Sequence, residues 1–434
     1  MNRLSTSWGE YDLTRFPEDP RDPLRAWSAA DAYLLRHLAG ETGRNGEAAG
    51  TGEAVGTGGT TGTGEPAGTG GTTEAGEATD TGKTAGTGAG IGEPVPLDGT
   101  IAVVGDRWGA LTTALAAHRP VQITDSHLAR QATLANLARA GRPADGARLL
   151  TTRDAPPDRV DVLLVRVPKS LALLEDQLHR IAPALHADSV VVGTGMVTEI
   201  HTSTLELFER IVGPTRTTLA RQKARLILST PDPDLRPGPS PWPRSYVLPA
   251  DAGAGAGLTA VNHAGIFCAE RLDIGTRFLL EHLPAVHGGA HVVDLGSGNG
   301  VLGTAAAVAE PGARVTFVDE SYQAVASAEA TFRANTAAGA EADFVAGDAL
   351  TAMPADSVDL VLNNPPFHSH QATTDATAQR MFRGAHAALR VGGELWVVGN
   401  RHLGYHVRLK RLFGNVEVAA SNRKFVVLRA VRRR

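Results

Sequence analysis

The stretch of sequence that decides the fold is His291-Val-Val-Asp-Leu-Gly-Ser-Gly-Asn-Gly300. Its first half is the apolar run of a buried strand, and its second half is a turn with glycine at every other position. The alanine-rich segment Val301 to Val308 follows and predicts a helix. A strand, a glycine turn and a helix in this order predict a binding site, because backbone N–H groups at a helix N-terminus can approach a ligand closely there.

The spacing in this turn favours S-adenosylmethionine over a dinucleotide. A dinucleotide fingerprint places its third glycine at position 301, which is Val301 in this chain. Asp294, at the end of the strand, would repel a pyrophosphate but can accept from the ammonium group of S-adenosylmethionine. The candidate cofactor-binding residues of this segment are Asp294, Gly296, Ser297, Gly298 and Gly300.

Short apolar runs alternate with helical segments along most of the chain. This alternation is typical of parallel sheets covered by helices, and the proline-rich segment 231–245 interrupts it. We therefore expect an α/β protein with two consecutive domains, residues 1–245 and 246–434. The predicted strands are Ile101–Val104, Val121–Thr124, Val160–Val165, Ser189–Val192, Ala224–Leu228, Ala290–Leu295, Arg314–Val318, Ala342–Ala346, Val358–Leu362, Glu394–Gly399 and Lys424–Val431.

Residues 41–95 differ in composition from the rest of the chain. They contain 18 of the 49 glycines, 13 threonines and almost no large apolar side chain, so they bury too little surface to offset the entropy of ordering. We expect a disordered insertion within the first domain, because a long surface insertion costs little closure entropy. The residues that recur at helical spacing before it are Leu24, Trp27, Ala30, Tyr33 and Leu34.

Charge is also unevenly distributed. The formal net charge is −4, but residues 41–95, with eight acids and two bases, carry −6, which leaves +2 on the rest. From Asn400 to Arg434 there are ten Lys or Arg and one acid. A single cysteine, Cys268, excludes a disulfide scaffold. No apolar run reaches the ~18 residues of a membrane helix, and the N-terminus lacks the build of a signal peptide, so we expect a cytoplasmic protein.

Two acids follow the next two predicted strands of the second domain. Asp319 ends one strand, where doubly wound folds place the acid that binds ribose hydroxyls. Asp348 follows the other strand and can accept from an adenine amino group. A loop aspartate alone is more often a cap, and we assign both acids to cofactor binding because they are in register with the glycine turn.

The residues after the fourth strand, Asn363-Asn-Pro-Pro-Phe-His368, predict the chemistry. The two prolines remove two N–H donors and stiffen the backbone, so the Asn364 side-chain oxygen and the Pro365 carbonyl can accept from one exocyclic amino group. Accepting both hydrogens turns the lone pair of that nitrogen towards an electrophilic methyl. Phe367 can stack on the base, and His368 is a further candidate for substrate binding. We take Asn364, Pro365 and Phe367 as the candidate catalytic residues, and Asn364 also as a cofactor contact.

These motifs resemble those of class I S-adenosylmethionine-dependent methyltransferases that methylate planar amino nitrogens. The chain is similar to the bacterial ribosomal RNA guanine-N2 methyltransferases, and its tail is closer to their large-subunit than to their small-subunit members. The resemblance is dense in the second domain and looser in the first. The segments that carry it are Leu24–Tyr33, Gly265–Leu280, Asn364–His368, Asn400–Tyr405, Arg408–Asn415 and Asn422–Leu428.

The resemblance implies methyl transfer from S-adenosylmethionine to N2 of a guanine in ribosomal RNA, with 23S favoured over 16S. It also implies two tandem methyltransferase-like (Rossmann-like) domains, of which only the second binds the cofactor. We expect a monomer that acts on free rRNA or on an assembly intermediate, without a membrane or a metal ion. Basic side chains would hold the RNA backbone, and the candidates are Arg401, Lys410, Arg411 and Lys424.

The first domain has lost the equivalent of the glycine turn. Aligning Gly109 with Gly300 places Arg107 at the position of Gly298, and a side chain of this size cannot cradle a cofactor. Val165-Arg-Val-Pro-Lys169 stands where the second domain has its Asn-Pro-Pro motif. The first domain is therefore interpreted as a degenerate duplicate of the second.

Three other functions share part of this pattern. A protein glutamine N5-methyltransferase uses the same four-residue motif on a planar amide, but the basic tail and the duplicate domain argue against it. A DNA adenine-N6 methyltransferase would carry target-recognition segments, and none is visible. A non-catalytic rRNA-binding assembly factor predicts damage at Asp294, Gly296 or Asn364, and all three residues are intact.

Overall fold

The computed structural model describes residues 3–19, 22–42, 92–366 and 372–433. It contains two seven-stranded sheets with the same strand order. Numbered along the chain within each sheet, the order is third, second, first, fourth, fifth, seventh, sixth. The first five strands of each sheet are parallel to one another. The seventh strand pairs antiparallel with the fifth, and the sixth pairs antiparallel with the seventh at the edge. The predicted α/β class with two Rossmann-like units is confirmed.

The first sheet and its helices come from the N-terminal half of the chain. The elements are β1 (Arg3–Thr6), β2 (Gly9–Asp12), α1 (Ala29–Leu38), β3 (Ile101–Val104), α2 (Ala110–Ala114), β4 (Val121–Thr124), α3 (His127–Arg139), β5 (Arg148–Thr151), β6 (Val162–Arg166), α4 (Leu171–Ile181), β7 (Val190–Met196), α5 (Thr202–Ile211), β8 (Thr215–Thr217) and β9 (Ala224–Ser229).

A hairpin and the second sheet follow. The elements are β10 (Arg244–Val247), β11 (Thr259–Asn262), α6 (Ile274–Leu280), β12 (His291–Leu295), α7 (Val301–Ala309), β13 (Arg314–Asp319), α8 (Tyr322–Asn335), β14 (Ala342–Ala346), β15 (Val358–Asn363), α9 (Ala372–Ala388), β16 (Leu389–Asn400), α10 (Tyr405–Phe413), β17 (Glu417–Ser421) and β18 (Phe425–Val431).

Each predicted strand corresponds to a strand of the structure, but seven strands have no predicted counterpart. They are β1, β2, β5, β8, β10, β11 and β17. Each one lies at a sheet edge or in a two-stranded hairpin. Such strands lack the continuous buried apolar run that marks the central parallel strands. The pattern therefore detects the outer strand β14 but misses the outer strands β5, β8 and β17.

The first helix begins later than its residue spacing predicts. Ser28 is the N-cap, and its hydroxyl accepts from the N–H of Ala30. The Asp31 carboxylate accepts from the N–H of Ser28 at 2.7 Å, which completes a capping box. Leu24 and Trp27 therefore precede the helix, and Leu24 is exposed. Their apparent helical spacing with Ala30 does not reflect a helix.

The two ends of the predicted insertion belong to the folded domain. Thr42 and Val95 are buried, and the N–H of Val95 donates to the carbonyl of Leu38 at 2.9 Å. The remainder of the predicted insertion, residues 43–91, lies outside the described residues. The domain boundary at residues 245 and 246 stays a prediction, and β10 runs across it.

Three chain segments meet at the carboxyl edge of the second sheet, where the site lies. β12 is the central strand and pairs with β13 on one side and with β15 on the other. The connections after β12 and β15 leave in opposite directions from this point, and open α/β sheets bind ligands at such a switch point. In the part of the chain that is described, no helix is long and apolar enough to cross a membrane.

Candidate active site

A cavity of about 500 Å³ opens at the carboxyl edge of the second sheet. Its walls come from the turns that follow the four parallel strands β12 to β15, together with the segment before α6. The sequence-predicted residues that line it are Gly296, Ser297, Gly298, Asp319, Asp348, Asn364 and Pro365. The structure therefore brings together residues that are up to 69 positions apart in the chain.

All three glycines of the turn have positive φ angles, but Gly298 and Gly300 have different surroundings. Gly296, Gly298 and Gly300 have φ of +70°, +53° and +73°, a region that side chains disfavour. A methyl group on Gly300 would lie 2.7 Å from the Cα of Ala328, so this glycine is needed for packing. A methyl group on Gly298 would meet no atom within 4 Å. Gly298 thus leaves open space in the cavity wall.

Asp319 fixes the turn from the neighbouring strand. Its carboxylate accepts from the N–H of Gly298 at 2.9 Å and from the N–H of Ser321 at 3.0 Å. Burial raises the pKa of Asp319, and the two N–H donors oppose that rise. The carboxylate lines the cavity while two backbone segments hold it in place, as a residue that accepts from ligand hydroxyls requires.

Asp294 lies beneath the turn and is not among the residues that line the cavity. One oxygen accepts from the N–H of Gly303 at 2.8 Å, and the other contacts no donor among the described residues. Burial raises its pKa to about 7. The hydroxyl of Ser297, on the cavity wall, is also buried without a partner in the described chain. The unpaired Ser297 hydroxyl, on the cavity wall, fits a cofactor that brings its own hydrogen-bonding groups.

Asp348 lines the opposite side of the cavity beside a cation. Arg380 of α9 donates from Nε to the Asp348 carboxylate at 3.2 Å, and both side chains belong to the cavity wall. The sequence-based assignment did not include Arg380. Asp348 remains only partly buried beside Arg380, so its carboxylate is accessible from the cavity.

Asn364 is held so that its amide oxygen is unengaged. Its Nδ2 donates to the Asp273 carboxylate at 3.1 Å and to the Thr276 hydroxyl at 2.8 Å. A carboxylate can only accept, so the amide nitrogen must face Asp273 and the oxygen must face away. That oxygen has no hydrogen-bond partner among the described residues. The acceptor role of Asn364 stays a prediction, and this oxygen is the atom that would accept.

Asp273 and Thr276 were missed by the sequence reasoning as functional residues. Asp273 is the N-cap of α6 and also accepts from the N–H of Thr276 at 2.8 Å, so one carboxylate both starts the helix and orients Asn364. The available signal was Asp273-Ile-Gly-Thr276, a capping pattern inside the segment that carried the family resemblance.

The other predicted substrate residues fall into two groups. Phe367 and His368 lie outside the described residues. Arg401 and Lys424 are exposed and adjacent at the carboxyl end of β16, where the N–H of Arg401 donates to the Lys424 carbonyl at 3.0 Å. Lys410 and Arg411 are exposed in the last turn of α10. None of these four cations belongs to the cavity wall.

The search for metal ligands gives no candidate cluster. Within the described ranges, no group of three or more His, Cys, Asp or Glu side chains is placed to hold an ion.

The strand order, the glycine turn and the oriented Asn364 define a class I S-adenosylmethionine-dependent methyltransferase. Two family models match the chain: the methyltransferase small domain over residues 257–429, and the RLMG N-terminal domain over residues 1–50 and 91–233. The chain belongs to the ribosomal RNA large subunit methyltransferase G family, because relatives of that name match it from end to end at 39–64% identity.

Three relatives illustrate this range. The ribosomal RNA large subunit methyltransferase G of Streptomyces griseus is 64% identical over 100% of both chains. That of Streptomyces avermitilis is 62% identical over 99% of both, and that of Stutzerimonas stutzeri is 42% identical over 100% of both.

A solved structure supports the fold of the whole chain. The T. thermophilus 16S rRNA N2 G1207 methyltransferase, in complex with AdoMet and guanosine, is 25% identical with a TM-score of 0.65. The match covers 79% of this chain and 89% of that one.

Proposed function

We propose that this protein transfers a methyl group from S-adenosylmethionine to the exocyclic N2 of a guanine in 23S ribosomal RNA. The names of its full-length relatives support the RNA class and the subunit. The guanosine and AdoMet in the related 16S enzyme support the base and the cofactor. The observation that carries the proposal is the amide oxygen of Asn364, a residue of the cavity wall, because this buried oxygen has no hydrogen-bond partner among the described residues.

Asn364 and Pro365 would hold the amino group of the guanine. N2 of guanine is conjugated with the ring and is a weak nucleophile while its lone pair stays in that system. Two acceptors, the Asn364 amide oxygen and the Pro365 carbonyl, bind its two hydrogens and direct the lone pair out of the ring plane. Pro365 and Pro366 stiffen this segment, so catalysis comes from positioning and fixed dipoles. Phe367 is the proposed stacking partner of the flipped base.

The glycine turn and the acids around it would hold the cofactor. When bound, S-adenosylmethionine supplies an electrophilic methyl group on a sulfonium. Asp319 is placed to accept from hydroxyls and Asp348 from an amino group, while the turn presents backbone N–H groups and Gly298 leaves space. The proposed cofactor residues are Asp294, Gly296, Ser297, Gly298, Gly300, Asp319, Asp348 and Asn364.

The exposed cations beside the site are proposed to contact RNA phosphates. Arg401 and Lys424 lie at the carboxyl end of β16, the same edge of the sheet as the cavity, and Lys410 and Arg411 are exposed in the last turn of α10. Such contacts provide affinity that falls steeply with salt, without reading the sequence. Because the substrate is ribosomal RNA, we infer that the protein acts in the cytoplasm, and we infer a monomer because one chain supplies both domains.

The test is methyl transfer to defined RNA. Purified protein and tritiated S-adenosylmethionine should label deproteinised 23S rRNA from a strain that lacks the gene, and mass spectrometry should find N2-methylguanosine at one position. Asn364→Ala should lower kcat by at least ~100-fold, the loss expected when one transition-state hydrogen bond is removed. Asn335→Ala is the matched control, because Asn335 bonds the backbone of Thr259 outside the cavity.

Each other outcome identifies a different function. Label on 16S rRNA alone would move the substrate to the small subunit. Label only in protein would indicate a glutamine N5-methyltransferase. RNA binding without label, unchanged by Asn364→Ala, would indicate a non-catalytic assembly factor.

A further inference from the structure

One wall of the cofactor cavity comes from the N-terminal domain. Asp125 and Leu128 line it together with Asp319, Glu320 and Ser321 of the second domain. Asp125 lies in the turn between β4 and α3, and Leu128 is in the first turn of α3. A domain that has lost its own glycine turn therefore contributes side chains to the cavity of the other domain.

The two domains meet there through reciprocal hydrogen bonds. The Ser321 hydroxyl donates to the Asp125 carboxylate at 2.6 Å, and the Ser126 hydroxyl donates to the Glu320 carboxylate at 2.6 Å. Ser126 and Ser321 face each other in an antiparallel bridge and cap α3 and α8. We call these four residues the clasp. Its geometry is that of an isologous dimer interface, in which each contact occurs twice.

Backbone hydrogen bonds extend the clasp in the same symmetric way. The N–H of Tyr322 donates to the Asp125 carbonyl at 2.9 Å, and the N–H of His127 donates to the Glu320 carbonyl at 2.8 Å. Each acid also lies at the N-terminus of a helix of the other domain. Burial raises the pKa of Asp125 to about 6 and that of Glu320 to about 7, and the hydrogen bonds from the serine hydroxyls oppose that rise. The clasp thus joins the start of α3 to the start of α8.

The clasp reaches the cofactor site through one residue. Ser321, which donates to Asp125 through its hydroxyl, also donates through its N–H to the Asp319 carboxylate at 3.0 Å. Asp125 in addition accepts from the N–H of Gln323 and from the hydroxyl of Thr152, both at 2.8 Å. Asp125 therefore ties the backbone that orients Asp319 to a fixed point in the first domain.

We propose that Asp125 is a positioning residue for the cofactor, which acts through Ser321 to keep Asp319 directed at the cavity. The inference rests on the proposed function, since it takes the cavity as the site of S-adenosylmethionine. The degenerate domain then has a role in cofactor binding although it binds no cofactor itself. Without the clasp, the turn between β13 and α8 has fewer anchors and part of the binding energy is spent on ordering it.

A purely structural role makes a different prediction, and Asp176 provides the matched control. Asp176 is also an acid of the first domain that bonds the start of α8, since it accepts from Nε2 of Gln323 at 2.9 Å. Asp176 does not line the cavity. Its described bonds, to Gln323 and Ser240, reach Asp319 only by way of Asp125. If the acids only join the domains, removal of either one should have the same effect on cofactor binding.

The experiment is calorimetric titration of S-adenosylmethionine into the full-length protein and its variants. Asp125→Ala should raise Kd about tenfold, whereas Asp176→Ala should change it less than twofold. Asp125→Asn should restore binding to within about threefold, because its amide can accept from Gln323 and donate to Ser321. With RNA, Asp125→Ala should raise KM for the cofactor and leave kcat at saturating cofactor unchanged.

Several results would overturn the inference. Equal Kd for the wild type and Asp125→Ala, or equal weakening by the variants at Asp125 and Asp176, would assign the clasp to domain joining alone. Should Asp125→Ala fail to fold, Ser321→Gly removes the same hydroxyl bond, keeps an acceptable N-cap, and must show the same rise in Kd. A wild type that does not bind S-adenosylmethionine would instead refute the proposed function, and this inference with it.

Discussion

The turn after β3 and the turn after β12 begin equivalent helices but serve different purposes. Gly109 and Gly300 are the N-caps of α2 and α7, with φ of +74° and +73°. Two positions earlier the second domain has Gly298, which leaves open space, and the first domain has Arg107, which pairs with Glu199 at 3.0 Å. Packing in both domains requires the glycine at the helix start. Gly298, in contrast, is required only where a ligand must occupy the space beside it.

The strands next to these turns differ in the same way. Val103 pairs with Leu164 as Asp294 pairs with Leu362, so Arg166 occupies the place of Asn364. Arg166 is buried, and Glu199 contacts its guanidinium at 2.8 Å. An internal ion pair has taken the place of an unengaged acceptor. The two domains keep one backbone, but the first domain lines the equivalent cavity with Arg107, Trp108 and Arg166 instead of glycines and an unengaged acceptor.

The largest expected effect comes from moving the first-domain residue into the second domain. Gly298→Arg should raise the Kd for S-adenosylmethionine by at least ~100-fold, because the side chain enters the space that Gly298 leaves open. Gly298→Ala is the control for the strained φ of +53° and should weaken binding less than tenfold. Titration calorimetry measures both, and retained binding by the arginine variant would refute the comparison.

The next effect tests whether the two helix starts are equivalent. A methyl group at Gly109 would lie 2.6 Å from the Cα of Thr133, and one at Gly300 lies 2.7 Å from the Cα of Ala328. Gly109→Ala and Gly300→Ala should each lower the free energy of unfolding by about 2 kcal/mol, from overpacking and a left-handed backbone. Urea denaturation measures this. A loss at only one site would show that the two turns are not equivalent.

A smaller effect concerns the orientation of Asn364. Thr276→Val removes one of the two acceptors of its Nδ2, at 2.8 Å, and should lower kcat about tenfold, which corresponds to ~1.4 kcal/mol. Thr276→Ser keeps the hydroxyl and should stay within twofold of the wild type. Single-turnover methylation at saturating RNA separates this effect from binding. Equal rates for the two variants would mean that Asp273 alone orients the amide.

The smallest effect is the pH dependence that Asp294 adds and Val103 cannot. Burial raises the pKa of Asp294 to about 7 in the folded protein, so between pH ~4 and 7 the folded state binds more protons than the unfolded chain. Stability therefore falls as pH rises through this range. From pH 6 to 7 the wild type should lose about 1 kcal/mol more than Asp294→Asn. Urea denaturation of both proteins at both pH values measures this difference. An equal change in the free energy of unfolding for the wild type and Asp294→Asn would contradict the prediction.

Much of the fold could be predicted because each central strand is marked by a short run of consecutive apolar residues. Continuous apolar runs such as Ile101–Val104 predict buried parallel strands, and the structure places a strand at each of them. The outer strands β5, β8 and β17 were missed because most of their side chains are exposed or half-buried. The helix before the insertion was placed too early, since spacing alone did not reveal that Ser28 and Asp31 form a capping box.

For the site, prediction was better on which residues are present than on how they are held. Gly298, Asp319 and Asn364 meet at the cavity as the motifs predicted. Asp294 lies behind the turn instead of lining the cavity. Its partner is the N–H of Gly303, a contact that depends on how α7 packs against β12.

The sequence by itself determined the class of site, because a strand, a glycine turn and a proline-stiffened acceptor are each made within a few consecutive residues. Only the tertiary structure decided how that site is oriented. Asn364 takes its direction from Asp273, 91 residues away, and Asp319 is linked through Ser321 to Asp125, 196 residues from that serine. Contacts between residues so far apart in the chain depend on how the two sheets and their helices pack. They cannot be predicted from the pattern of neighbouring residues.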